Sequence, residues 1–426
     1  MRLLAAAALL LALLPACVST DEANGTAPRR PDAARASPAA APGTLRRDSD
    51  RIGGVQFYGG GVETALPITG LGGPPLTLAF DVLDTDGRPL SLWLYVTDRT
   101  GRVNPLSSVL IEGFERDDLL APQPSRGTRP PYVHYTARVP GTSTQFTTSG
   151  RYLLRVTELG QEDAVLFERT FYVAEDGVDA EIGSEDVYAG GRTTSLLPTV
   201  RVKTAGLTSD PFYYTACFAQ DGHLEAMRCT ERPLLVQPDA ITFQLPPALA
   251  FARDNATHFL DLNLLRASTD VERIDLDTPV PAVRLAPDQP AFPDVTFPNL
   301  YAQPLFGDVR VAGDPATSSD YVDVTFQMTP PGDAPLADAY LTGAFSAWAP
   351  RAVPMTWNAE TRRYTALVRL KQGQYEYRYT SSDARFQRLV ASAMGRVRSR
   401  YTAFVYYQDT RRQADRLLAV RTLDPR

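Results

Sequence analysis

Histidine, cysteine and lysine are nearly absent from these 426 residues, which hold His134, His223 and His258, Cys17, Cys217 and Cys229, and Lys203 and Lys371. Histidine is the usual proton shuttle and the commonest metal ligand, while Lys and Cys are the usual tunable nucleophiles. A chain this poor in all of them is a weak candidate for a Ser-His or Cys-His hydrolase, or for a zinc or haem protein, so no metal and no other cofactor is expected. The phosphate-loop, dinucleotide, HExxH, GxSxG, CxxC and calcium-loop patterns are also missing. Gly59-Gly60-Gly61 precedes no helical pattern and reads as a flexible turn. A basic excess is lacking too, since the net charge is −6 and the pI about 5.3, which argues against a general nucleic-acid binder. Beyond residue 16 no apolar run approaches the roughly twenty residues of a spanning helix.

What is present points elsewhere. Met1-Arg2, the apolar run LLAAAALLLALLPA and Cys17 make residues 1–16 a secretory signal. Leu14-Pro15-Ala16-Cys17 resembles a bacterial lipobox, which implies that Cys17 becomes a diacylated N-terminus; a plain signal peptide with an incidental Cys is the alternative. Residues 17–52 are rich in Ala, Pro, Arg and Asp, with too few large apolar side chains to offset their ordering entropy, and read as a disordered linker. Such a tether would let a folded body stand away from a bilayer.

From residue 53 the apolar segments have period two, the strand signature, and 35 Pro with 29 Gly fit strands and turns. Leu76, Leu78, Phe80 and Val82 alternate with Thr77, Ala79 and Asp81. RYLLRVTE and VLFERTFYV flank the turn-rich LGQED as a hairpin. Residues 53–180 are therefore expected to form an N-terminal β-sandwich. A middle sandwich is expected over 181–286, with a tight turn at Asp221-Gly222. Cys217 and Cys229 flank that turn, and an even pair in an exported chain predicts a disulfide adding about 2–3 kcal/mol; two buried free thiols are the alternative. Residues 287–317 hold six Pro among scattered Phe and Leu and read as a packed connector. A C-terminal sandwich is expected over 318–426, where Val322, Val324, Phe326 and Met328 face one way and Tyr375, Tyr377 and Tyr379 line another strand. No helix beyond about two turns is expected.

Candidates for chemistry are sparse. Glu115, Asp117 and Asp118 would serve a glycosidase only if folding paired two of them, and they read as solvated turn carboxylates. His134, inside YVHYTARV, reads as a satisfied strand histidine. Residues 385–426 carry ten Arg against three Asp and no Glu. That excess would suit an acidic partner or lipid headgroups, or would simply be a solvated edge that discourages aggregation.

Two resemblances follow. AYLTGAFSAW at 339–348, Met355, Trp357-Asn358, Tyr364 and LKQGQYEYRY resemble the early-set sandwiches related to glycogen-binding modules. In those modules exposed Trp and Lys hold sugar, which implies Trp348, Trp357 and Lys371 as possible glycan or partner contacts, although the same motif frames the hydrophobic core. The ordered series PLTLAFDVLDTDGRPLSLWLYV, VLIEGF, SRGTRPPYVHYTARVP, SGRYLLRV, FARDNATHFLDLNLLR, DYVDVTFQM, GAFSAW, LKQGQYEYRY and YTAFVYYQDTRRQADRLLAV resembles the plug protein family of the bacterial type IX secretion system. TDRTGRVNP replaces a His-Cys-Asp-like stretch of that family, which marks a divergent member.

The resemblance implies an all-β chain of three consecutive immunoglobulin-like or early-set sandwiches. It implies a non-enzymatic outer-membrane lipoprotein facing the periplasm that closes the periplasmic mouth of the system's giant barrel. Its partners would be that barrel and the lipid bilayer, with no nucleic acid. A glycan-binding lipoprotein is the alternative.

Overall fold

Alternation along the strands builds the architecture. In the strand Leu76–Val82, Leu76, Leu78, Phe80 and Val82 are all fully buried, and the same period recurs in neighbouring strands. The computed structural model describes residues 45–189, 192–204, 206–252, 257–290, 304–306, 314–349, 351–392 and 399–424. The signal segment, Cys17, most of the linker and most of the 287–317 connector lie outside these residues, whereas 45–52, expected to be disordered linker, packs on the first sandwich, with Asp48 paired to Arg169 at 2.6 Å.

The chain is all-β, arranged as three sandwiches. In the first, the sheet of Ile52–Tyr58, Leu76–Val82, Val133–Val139 and Gln123–Pro124 faces a second sheet. That second sheet includes Leu90–Thr97, Gly150–Glu158 and Val165–Ala174, and the expected hairpin pairs Tyr152 with Phe171. Their inner faces share one core, in which Phe80 stacks on Tyr135 at 5.2 Å and meets Phe167 edge-on at 4.9 Å.

The other two sandwiches do not follow the linear division 181–286 and 318–426. Of the last two strands, Tyr401–Asp409 pairs with Tyr214–Gln220 and Ala414–Leu423 pairs with Tyr401–Asp409, which completes the middle sandwich. Conversely, His258–Asp261 pairs with Gln374–Thr380, and Ala282–Leu285 pairs with Tyr321–Met328, so residues from the expected middle unit build the third. The third sandwich is thus inserted within the middle one. Period-two patterning specifies that a strand exists and which face it buries, but the partner is chosen by long-range packing. Lys371-Gln372-Gly373 turns the chain, yet the strands on either side, Arg363–Lys371 and Gln374–Thr380, belong to opposite sheets of the third sandwich.

Local signals hold at the middle hairpin. Asp221 and Gly222 both take positive φ, as a tight hairpin turn needs, and Cys217 stands opposite Cys229 in register. A disulfide joins them across 12 residues of sequence. The longest helix among the described residues is Ala384–Ser392. No described helix is long and apolar enough to cross a membrane.

Candidate functional site

The polar features of this chain gather where the sandwiches meet. Asp81 points outward from the first sandwich, since its neighbours Phe80 and Val82 point into the core. Its Oδ1 lies 2.7 Å from His134 Nδ1 on the neighbouring strand. Its Oδ2 accepts from Lys371 Nζ and from the Tyr321 hydroxyl of the third sandwich, both at 2.7 Å. The side chains of Asp81 and Lys371 are each only 1% exposed. Lys371 also donates to the Ala316 carbonyl at 2.8 Å and lies 4.5 Å from the centre of the Tyr132 ring.

Sequence prepares this seat. A Cβ on Gly53 would lie 2.5 Å from the Tyr321 hydroxyl, so only glycine lets the tyrosine approach. Backbone bonds extend the joint, from Arg126 to Thr317 at 2.8 Å and from Tyr321 to Arg129 at 3.0 Å. Burial lowers the Lys371 pKa while Asp81 opposes it, and burial beside Asp81 pushes the Tyr321 hydroxyl far above its usual range.

A different surface joins the first and middle sandwiches. Tyr172, Ala174, Cys217, Ala219, Phe404, Tyr406 and Leu417 form an apolar cluster, with Tyr172 and Phe404 rings 4.8 Å apart. At its rim Arg416 forks onto Glu175 at 2.7 and 2.5 Å, and Ser149 donates to the same carboxylate at 2.7 Å. Burial raises the Glu175 pKa, but Arg416 and Ser149 outweigh it and hold the carboxyl below the usual range. Arg421 pairs with Asp176 at 2.6 Å. Two of the C-terminal arginines therefore serve the chain's own joints.

The middle and third sandwiches meet where Trp348 stacks on His223 at 4.1 Å. Burial, reinforced by Arg378, lowers the His223 pKa well below its ordinary value. Gly343 of the Gly-x-Phe-x-x-Trp motif has no room for a side chain, because a Cβ would lie 2.6 Å from the Glu376 carbonyl. A cavity of ≈ 160 Å³ remains among the three sandwiches, lined by Phe57, Arg169, Leu224, Phe345, Trp348 and Lys371 among others.

The three residues singled out for sugar do not form an open platform. Trp348 and Lys371 are buried in separate joints. Trp357 is partly buried against Tyr364 at 5.2 Å. It pairs with Tyr364, seven positions before Lys371 on the same strand, or roughly 23 Å away along it. Burial of Lys371 depends on Asp81, which stands 290 residues earlier, so local sequence could not reveal it. One signal was available: Asp81 is a lone carboxylate inside an otherwise uncharged strand, and Lys371 is one of two lysines.

Asp81, His134 and Thr136 have the order of a catalytic triad, with His134 Nε2 3.1 Å from the Thr136 hydroxyl. Neither His134 nor Thr136 lines the cavity among the sandwiches, and the far oxygen of Asp81 is engaged by Lys371 and Tyr321. The geometry is that of a structural hub. Among the described residues no group of three or more His, Cys, Asp or Glu side chains could hold a metal ion.

Residues 52–175 match the family model of the type 9 secretion system plug protein 1st domain. The first sandwich is similar to the type IX plug first domain over nearly its whole length. The resemblance noted from sequence thus has independent support over that unit, and the domain ties the chain to type IX secretion and to the cell envelope. No curated protein matches. A crystal structure of a hypothetical protein from Parabacteroides merdae superposes with a TM-score of 0.78 at 21% identity, covering 90% of this chain and all of that one. That likeness extends the shared fold across the plug first domain and both following sandwiches.

Proposed function

We propose that this protein is a non-enzymatic plug that closes the periplasmic end of the giant outer-membrane barrel of the type IX system. The plug first domain at 52–175 carries the reading. Three sandwiches joined by a buried ion pair, an aromatic cluster and a stacked Trp-His contact are suited to a body that must block a wide pore without deforming. Lipidation at Cys17, followed by the linker, would hold that body at the membrane on its periplasmic side. Release would require an interface whose affinity is set by more than its area.

The test is affinity capture of the full-length protein from gently solubilised membranes of its host. Recovery of a very large β-barrel protein supports the plug, as does leakage of a periplasmic reporter when the gene is deleted. Absence of such a barrel alongside retention of the protein on polysaccharide would overturn it. Cys17→Ser should move the protein from the membrane to the soluble periplasmic fraction. The glycan reading draws no support from Trp348 and Lys371, which are spent on joints.

A further inference from the structure

Unpaired strand edges template pairing with another extended chain, and proteins protect them with charge, proline, brevity or cover. The long edges here mostly obey. Arg116–Leu119 carries Arg116, Asp117 and Asp118; Val271–Asp275 carries Glu272, Arg273 and Asp275; Ala180–Ala189 carries Glu181, Glu185 and Asp186. The uncharged edge Ile52–Tyr58 is covered, with Tyr321 packed on Gly53 and Gln56 donating to the Pro304 carbonyl at 2.8 Å.

Pro233–Val236 is guarded only by its shortness and its leading proline. It is the outer strand of its sheet in the middle sandwich, it has no charged residue, and Leu234, Leu235 and Val236 are 60, 52 and 47% exposed. It borders a cleft of ≈ 720 Å³ that opens between the edges of the two sheets, with Pro233 and Leu234 on one side and Cys229 and Thr230 on the other. Leu245 and Pro246 add apolar wall. A register shift between Pro233 and Leu235 takes Leu234 out of the ladder, and Leu234 lines the cleft. Arg232 stands at the head of the strand, exposed and making no ion pair among the described residues, whereas the neighbouring Glu231 is held by Arg99.

We infer that this edge and cleft bind an extended peptide segment of a partner protein, added antiparallel to Pro233–Val236, with alternate apolar side chains and a carboxylate at its C-terminal end. Only an extended backbone can satisfy a free strand edge, and its side chains then alternate between the cleft and solvent. The antiparallel sense brings the C-terminal end of the segment to Arg232, where a carboxylate completes a charge-assisted bond. A second copy of this chain fits less well. Two-fold pairing centred on Leu235 would set Arg232 against Pro238, which has no N–H and no charge. Arg99 and Thr100 of the first sandwich close one end of the cleft, but the inference does not depend on the plug reading.

Fluorescence anisotropy of the full chain with a labelled peptide, Thr-Val-Thr-Val-Thr-Val-Thr-Glu with a free C-terminus, tests this. Saturable binding is expected, weakened about tenfold or more by Leu235→Lys and by N-methylation of alternate peptide amides tried in both phases. Arg232→Glu should weaken this peptide and favour one ending in Lys amide. Circular dichroism of each variant should match the parent. The inference is overturned if the methylated peptides bind as well as the parent or if nothing binds at about 1 mM peptide. It is overturned equally if sedimentation reveals a dimer that Leu235→Lys dissolves.

Discussion

The joint between the first and third sandwiches and the joint between the first and middle sandwiches solve one problem with opposite chemistry. The first is centred on a carboxylate that receives Lys371, Tyr321 and His134, all buried. The second is centred on aromatic and aliphatic packing, with its ion pairs at the rim. Apolar packing is non-directional and tolerates sliding, whereas a buried carboxylate accepts few geometries and punishes the loss of a partner. The polar joint therefore fixes orientation, and the apolar joint supplies cohesion.

Four substitutions probe that contrast, from the largest effect to the smallest. Lys371→Met leaves Asp81 buried without its counter-charge and should cost about 3–5 kcal/mol in urea unfolding of the full chain. A cost below about 1 kcal/mol would show that the joint is not held by charge. Tyr321→Phe removes one O–H donor from the same carboxylate and should cost about 1.5–3 kcal/mol.

At the other joint the expected response is to pH. The Glu175 carboxyl is held below the ordinary glutamate value of 4.5, so as the pH falls the unfolded chain binds a proton there before the folded chain does. Its contribution is complete above about pH 4.5 and is lost as the pH falls through the folded value. Glu175→Gln should flatten that part of the stability curve, and an unchanged slope would remove Glu175 from the account. Tyr172→Phe should be the smallest, within about 0.5 kcal/mol, because the Tyr172 hydroxyl is buried with no hydrogen-bond partner among the described residues. The same loss of one hydroxyl is thus expected to be costly at Tyr321 and silent at Tyr172, and equal costs would erase the distinction between the joints.

Much of the fold was legible in sequence, and little of the site. Alternation at Leu76–Val82 and Tyr321–Met328 and the Asp221-Gly222 turn act over a few residues, so they read directly. The disulfide followed from two cysteines flanking that turn. Strand partnership did not read, because Ala282–Leu285 and Tyr401–Asp409 carry the same alternation whichever sheet they join. The sugar-contact expectation for Trp348 and Lys371 came from a motif whose aromatic and basic residues here face other sandwiches, and a motif carries no record of what packs against it. Likewise the C-terminal arginines looked like a free basic patch until Glu175 and Asp176, far back in the chain, claimed Arg416 and Arg421.

The insertion of the third sandwich also sets an order of assembly. The backbone N–H of Arg400 donates to the Asp221 carboxylate across 179 residues of sequence, and the strands that follow Arg400 close the middle sandwich. During synthesis or export the first sandwich can fold as soon as its strands emerge, but the middle one must wait, half-built, until the inserted unit has passed and the last two strands arrive. A prematurely ended chain would display the bare edge of Tyr214–Gln220, a ready target for envelope proteases, so only complete molecules would persist.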